Sequence, residues 1–128
     1  MNRLEYHFDC LDGKYLCVCQ FDDESLSYVI ESSIPELSGK SGELSKEEAV
    51  RFNKLLEEAQ IEKWDREYMA DLSGIADAVK WKVKLIKDDK EYVSRGEESF
   101  EPYTYKQLID ALRLMEGKAD YFLAQGDR

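Results

Sequence analysis

The stretch AVKWKVKLIK, running from Ala78 to Lys87, decides the fold. Val79, Trp81, Val83 and Leu85 alternate with Lys80, Lys82 and Lys84. Side chains change face at every residue of a strand, so this is the pattern of a strand with one buried face. Trp81 is expected to be buried against Phe52 and Leu112, each on a neighbouring helix. Asp88-Asp89 reads as a turn, and Glu91 to Arg95 as the hairpin partner, giving a hairpin over residues 78–95.

Upstream, Leu4, Tyr6, Phe8 and Cys10 alternate with Glu5, His7 and Asp9. Tyr15, Cys17, Cys19 and Phe21 alternate with Leu16, Val18 and Gln20. Asp12-Gly13 lies between them, a pair that favours a two-residue hairpin loop because Gly accepts positive φ. With that loop, Cys10 would pair with Tyr15, Phe8 with Cys17, Tyr6 with Cys19 and Leu4 with Phe21. A third strand, Leu26 to Ile30, would place Tyr28 near Cys19 and Ile30 near Cys17. Residues 1–34 thus read as a β-meander. Its second face carries His7, Leu16, Val18 and Val29 and is apolar enough to be partly covered.

Ser45-Lys-Glu-Glu48 is a capping box opening a helix over 45–60, with Ala49, Phe52, Leu56 and Ala59 on one stripe. Residues 61–68 fit either an extension of that helix or a short strand. Thr104 with Gln107 reads as a second capping box, for a helix over 104–116 whose stripe is Leu108, Ile109, Leu112 and Met115. Gly117 can end it. The order is that of one α+β domain spanning 1–128: a three-stranded antiparallel meander and a C-terminal hairpin, with two helices packed on the sheet.

The C-terminal half resembles a pattern found in small bacterial proteins of unknown function. Trp64-x-x-x-Tyr68 and Asp77-x-x-x-Trp81 precede the alternating hairpin; Gly96, Phe100-x-Pro102 and Tyr105-x-x-Leu108-x-x-x-Leu112 follow. The Asp-Gly usual before the strand tryptophan is absent here. The resemblance implies an unusual backbone turn at Gly96, a helix start set by Pro102, and Trp81 packed beneath. It implies no activity.

The chain of 128 residues carries 18 basic and 28 acidic side chains, a formal charge of −10. Such a surface repels nucleic-acid phosphates and anionic lipid. No run approaches the roughly 18 apolar residues of a membrane span, and the N-terminus has no apolar signal core, so a cytoplasmic location is expected. Cys10, Cys17 and Cys19 are too few and too crowded for a secreted disulfide framework.

Several chemistries are tested by spacing. Cys17-x-Cys19 with Cys10 and His7 lacks the two to four intervening residues that paired zinc cysteines favour, and His7 falls on the opposite face. The cysteines read as buried small apolar residues. His7 is the one histidine and sits across the sheet from every thiol, so no nucleophile–base pair forms. Gly39-Lys40-Ser41 lacks the earlier Gly of a phosphate loop, Ile34 standing in its place, and reads as linker. Asp71 to Asp77 does not supply a calcium loop. Paired acids such as Glu57-Glu58 fall in turns or on polar helix faces. The comb of Lys80, Lys82, Lys84 and Lys87 reads as a solvated face that pairs with acids or blocks edge pairing, rather than a grip on phosphate or an acidic partner.

The reading that results is a non-enzymatic, acidic protein-binding module of a bacterial or phage cytosol, an inhibitor or immunity-type protein. In size and charge it is similar to phage anti-CRISPR proteins, some of which fill nucleic-acid channels as acidic decoys. The partner expected is a protein with a basic surface; no direct nucleic-acid binding, membrane, metal or cofactor is expected. The candidate contact residues are Glu97, Glu98, Phe100, Glu101 and Tyr103, with Asp22, Asp23 and Glu24 as a second set. The competing reading is a small enzyme or ligand sensor with a pocket between the sheet and the helices.

Overall fold

A computed structural model describes residues 1–37, 39–68, 79–97, 102–117, 119 and 121–122. Within them the alternating segments become strands β1 (Asn2–Cys10), β2 (Gly13–Phe21), β3 (Leu26–Ser32), β6 (Lys80–Lys87) and β7 (Lys90–Glu97). Two further strands complete the sheet, β4 (Lys40–Glu43) and β5 (Glu67–Tyr68). The helices are α1 (Lys46–Ala59) and α2 (Tyr105–Glu116). All seven strands lie in one sheet of order β4-β3-β2-β1-β6-β7-β5, antiparallel except where β5 runs parallel to β7. The α+β class is as expected; the sheet is larger than a meander beside a hairpin. β1 pairs with β6 as well as β2, fusing the two pieces: Arg3 faces Ile86, Tyr6 faces Val83 and Phe8 faces Trp81.

The apolar sets all fall on one face. Leu4, Tyr6, Phe8, Tyr15, Cys17, Cys19, Trp81, Val83 and Leu85 are buried there with Phe52 and Leu56 of α1 and Leu108, Ile109 and Leu112 of α2. Both helices cover this face. No described element covers the other, where Val29 is half exposed while His7, Leu16 and Val18 are partly buried.

The first hairpin differs from the expected register by two residues. Cys10 pairs with Gly13, Phe8 with Tyr15 and Tyr6 with Cys17, so the loop is Leu11-Asp12. A shift of two leaves every side chain on its own face, so alternation cannot detect it. Gly13 is the reason for the shift. It takes φ of 143°, and a Cβ there would stand 2.5 Å from Ser33 Oγ. That oxygen accepts the Lys14 amide at 2.9 Å. The pairing of β2 with β3 is as read: Cys19 with Tyr28, Cys17 with Ile30. Asp88 and Asp89 both take positive φ, the pattern of a type I′ hairpin turn.

β4 replaces the expected linker. Lys-Ser-Gly-Glu has no apolar alternation, and only its pairing with Ser27–Ile30 makes it a strand. The α1 capping box is present in full, with Glu48 N–H donating to Ser45 Oγ and Ser45 N–H to Glu48 Oε1. The second box does not form. The Thr104 hydroxyl instead donates to Ala59 O and accepts from Trp64 Nε1 at 2.9 Å, tying the end of α1 to the start of α2. Tyr105 N–H donates to Pro102 O, setting the start of α2, and Gly117 in the left-handed region ends it. Residues 61–68 form a 3-10 turn at Ile61–Lys63 and then β5.

Trp81 is buried, at 4% exposure, in the same core as Phe52 and Leu112. Its ring neighbours are Tyr105, Tyr68 and Trp64, with centroids 5.1, 5.9 and 6.0 Å away, and the Phe52 ring meets Phe21. Gly96 makes no positive-φ turn. It sits in β7 between Trp81 on one side and Tyr68 on the other. The rings of these two residues lie 5.9 Å apart across the glycine.

Trp81→Ala is expected to lower unfolding free energy by about 3–5 kcal/mol, because it empties the centre of this ring cluster. Gly96→Val should also destabilise by separating Trp81 from Tyr68. Denaturant titration checks both, and a loss below about 1 kcal/mol for Trp81→Ala would show that the cluster is not integral to the core.

Candidate functional site

The sheet has two ends, and strand direction assigns each loop to one of them. The β2–β3 turn, the end of β4, the start of α1 and the β6–β7 turn lie at one end. The β1–β2 turn, the end of β3, the start of β6 and the end of β7 lie at the other. Strands of this length put about 25 Å between the ends. The two expected contact sets are therefore apart: Asp22, Asp23 and Glu24 lie at the first end, and Glu97 closes β7 at the second. Tyr103 is fully exposed just before α2. Glu98, Phe100 and Glu101 lie outside the described residues.

The first set is built by its turn. Asp22 Oδ1 accepts from Glu24 N at 2.9 Å, Ser25 N at 2.8 Å and Ser25 Oγ at 2.9 Å. The donated bonds, first that from Glu24 N–H, hold the Asp22 carboxyl below its usual range. Asn53 Nδ2 donates to Asp22 O at 2.8 Å, and Lys46 Nζ reaches Glu24 Oε1 at 3.5 Å, so the turn is docked on α1. The fold adds two acids that sequence reasoning missed. Glu43 faces Ser27 at the end of β4, and Glu47 lies in the first turn of α1, where the helix dipole favours it. Asp23, Glu43 and Glu47 are exposed and in no ion pair among the described residues. No periodicity marks Glu43, because it joins the patch only through the β3–β4 pairing.

The second end carries a different surface. On the uncovered face, adjacent strands set Glu31, Leu16, His7, Lys82 and Arg95 in one row, and Lys14, Asp9, Lys80 and Glu97 in the next. All of these but Glu97 line a depression of about 780 Å3. Phe8, Tyr15 and Trp81 lie under it with their side chains buried on the far face. The lysine comb is thus not an edge device, since β6 lies between β1 and β7. Pairing with acids holds for Lys84, whose Nζ is 3.1 Å from Glu91 Oε1. The space between the sheet and the helices is filled by the packed core.

The cysteines take the places expected of apolar residues. Cys17 and Cys19 are buried and Cys10 is half-buried, all on the core face, opposite His7. Cys17 Sγ lies 3.9 Å from Met115 Sδ. Cys10 Sγ lies 3.7 Å from Tyr121 OH, which donates to Asp12 Oδ2 at 2.6 Å; burial and that carboxylate push the Tyr121 phenol up. Burial raises the Cys17 thiol from 9.0 to about 12 and the Cys19 thiol well above 9.0. No helix among the described residues is long and apolar enough to cross a membrane.

Two measurements follow from the thiols. Cys17 and Cys19 should react slowly with a thiol reagent in the native protein, behind Cys10, and quickly after denaturation. Their folded values lie above the unfolded one, so the stability they confer is intact below pH 9 and lost as pH rises from 9 towards about 12. The denaturant midpoint should hold to about pH 8.5 and then fall. The fall should be shallower in Cys17→Ala, and an identical pH profile in that variant would remove the thiol from the account.

No protein-family model matches this chain, and no curated protein sequence matches it.

Proposed function

We propose that this chain is a non-enzymatic protein-binding module, an inhibitor or immunity-type protein that presents negative charge to a basic, nucleic-acid-binding partner. The observation that carries this reading is the acidic end of the sheet. Asp22, Asp23, Glu24, Glu43 and Glu47 come from three separate pieces of chain and meet on one docked, exposed patch. Lys46 answers only one of them at close range. A rigid array of carboxylates on a fixed frame resembles the spaced charges of a phosphate backbone, which is how an acidic decoy competes for a nucleic-acid channel. The net charge of −10 adds long-range attraction to such a partner and speeds encounter. Similarity in size and charge to phage anti-CRISPR proteins agrees with this reading. Glu97, Glu98, Phe100, Glu101 and Tyr103 are the second contact region under the same proposal, with aromatics beside charge as at contact surfaces.

The test is capture from a bacterial lysate on the immobilised protein, quantified by mass spectrometry. The wild type is compared with Asp23→Asn/Glu43→Gln/Glu47→Gln and, separately, with Glu97→Gln/Glu98→Gln/Glu101→Gln. Asp22 is left intact because its carboxylate holds the turn. A basic protein held by the wild type should be lost in one of the variants and when salt is raised from about 0.1 M to about 1 M, where screening shortens from about 10 Å to about 3 Å. A partner retained by both variants and at high salt ends the charge-presentation reading.

A further inference from the structure

Four of the 18 basic residues of this acidic chain gather at one place. Lys14, Lys80, Lys82 and Arg95 line the depression on the uncovered face, against Asp9 and Glu31. Arg95 Nη2 is paired with Glu67 Oε1 at 2.9 Å. Lys14, Lys80 and Lys82 are in no ion pair among the described residues. Lys80 and Lys82 are two residues apart on β6, about 6.6 Å, and Arg95 is the partner of Lys82 on β7, about 4.8 Å across. Like charges this close raise each other's energy, and a group bearing two or three negative charges among them relieves it.

We infer that this depression binds a small organic phosphate. Its phosphoryl groups lie among Lys80, Lys82 and Arg95, and its less polar body lies over Leu16 and the His7 ring. This goes beyond the protein-binding proposal and rests on other residues at the opposite end of the sheet. Charge decides for phosphate over a monocarboxylate, which would answer only one of Lys80 and Lys82, both in no ion pair among the described residues. Asp9 on β1 and Glu31 on β3 confine the anionic part to the β6–β7 side, and Glu97, the partner of Lys80, borders it from outside the lining. The opposite rim carries Ser33, whose oxygen accepts from Lys14 N at 2.9 Å, so its hydroxyl keeps its own hydrogen to donate. The volume of about 780 Å3 falls in the range of small-ligand sites, roughly 300–1,000 Å3. Size also selects against a long polyanion. A nucleic acid or acidic protein would run out of this patch into the field of the −10 chain. A small ligand feels charges within a Debye length of about 8 Å, and the acidic end is about 25 Å away.

His7 is the sole histidine, so its ring resonances report from the floor of the depression without ambiguity. Pyrophosphate and then adenosine diphosphate are titrated into 15N-labelled protein in about 0.15 M NaCl. Both should give saturable shifts at the His7 ring and at the Lys82 and Arg95 amides, with the nucleotide half-saturating several-fold lower because its body adds contact. Lys80→Gln/Lys82→Gln should weaken both by about tenfold or more, since charge-assisted bonds are lost. Lys54→Gln/Lys106→Gln, on the helical side, should change neither. All four lysines are exposed, and an unchanged melting temperature confirms that the variants fold. Shifts that never saturate, or that are the same in both double variants, overturn the site. Saturation by a tetraglutamate peptide with no response to either phosphate overturns the ligand class. Equal affinity for pyrophosphate and the nucleotide overturns the placement of the body on Leu16 and His7.

Discussion

The antiparallel pairing of β1 with β6 is the constraint on which the rest of the molecule depends. It joins Arg3 to Ile86 and Asp9 to Lys80, and so closes a loop of more than half the chain. Closure entropy grows only as the logarithm of loop length, so a loop this long costs little more than one half its size. What offsets it is the apolar surface brought together. Tyr6, Phe8 and Trp81 line up under α2, and Tyr6 OH and Tyr105 OH meet at 2.5 Å in the buried interior. Phe122 then packs on Tyr6, Phe8 and Tyr15 with centroids 5.3, 4.8 and 4.7 Å away, so residues beyond α2 lie against the N-terminal strands. Without β1 against β6 there would be two small half-sheets, each with a helix and neither with a complete core.

How much of this was legible follows from the range of each signal. Face assignment depends on alternation within a few residues, and it was correct for β1, β2, β3 and β6. The β2–β3 register was legible because the polar turn between them is short. The β1–β2 register was not, because a shift of two residues is silent to alternation and the position of Gly13 is fixed by Ser33, twenty residues on. β4 had no local signal at all. Ser45 behaves as its own neighbourhood predicts, whereas Thr104 has the same local pattern and is claimed by Ala59 and Trp64. Trp81 was recognised as core, but two of its ring partners, Trp64 and Tyr68, come from a segment whose local pattern fitted helix and strand equally.

The same division runs through the surface. Asp22, Asp23 and Glu24 were visible as a turn, yet that Asp22 is spent on its own backbone and that Glu43 and Glu47 join the patch needs the sheet order. The basic depression was less legible still. The comb of lysines was plain on β6, but Arg95, Lys14 and His7 join it only through three separate strand pairings. Charge in this protein is therefore sorted by topology. A sequence that reads as uniformly acidic folds into a sheet with an acidic end and, on one face of the other end, a cationic hollow.

The order of the sheet has a further consequence, for how chains of this protein behave when crowded together. The longest and most apolar strands, β1, β2 and β6, are all interior, and the described sheet terminates in the two shortest, β4 and β5. β4 is Lys-Ser-Gly-Glu, with no apolar side chain, and β5 offers two residues. An unpaired strand edge templates the addition of strands from another molecule in proportion to its length, flatness and hydrophobicity. Here the segments with the strongest amyloid-type composition are shielded on both sides, and the rims offer too few free amides and carbonyls to seed a growing ribbon. The sheet can therefore have a face that no described element covers and still resist sideways aggregation.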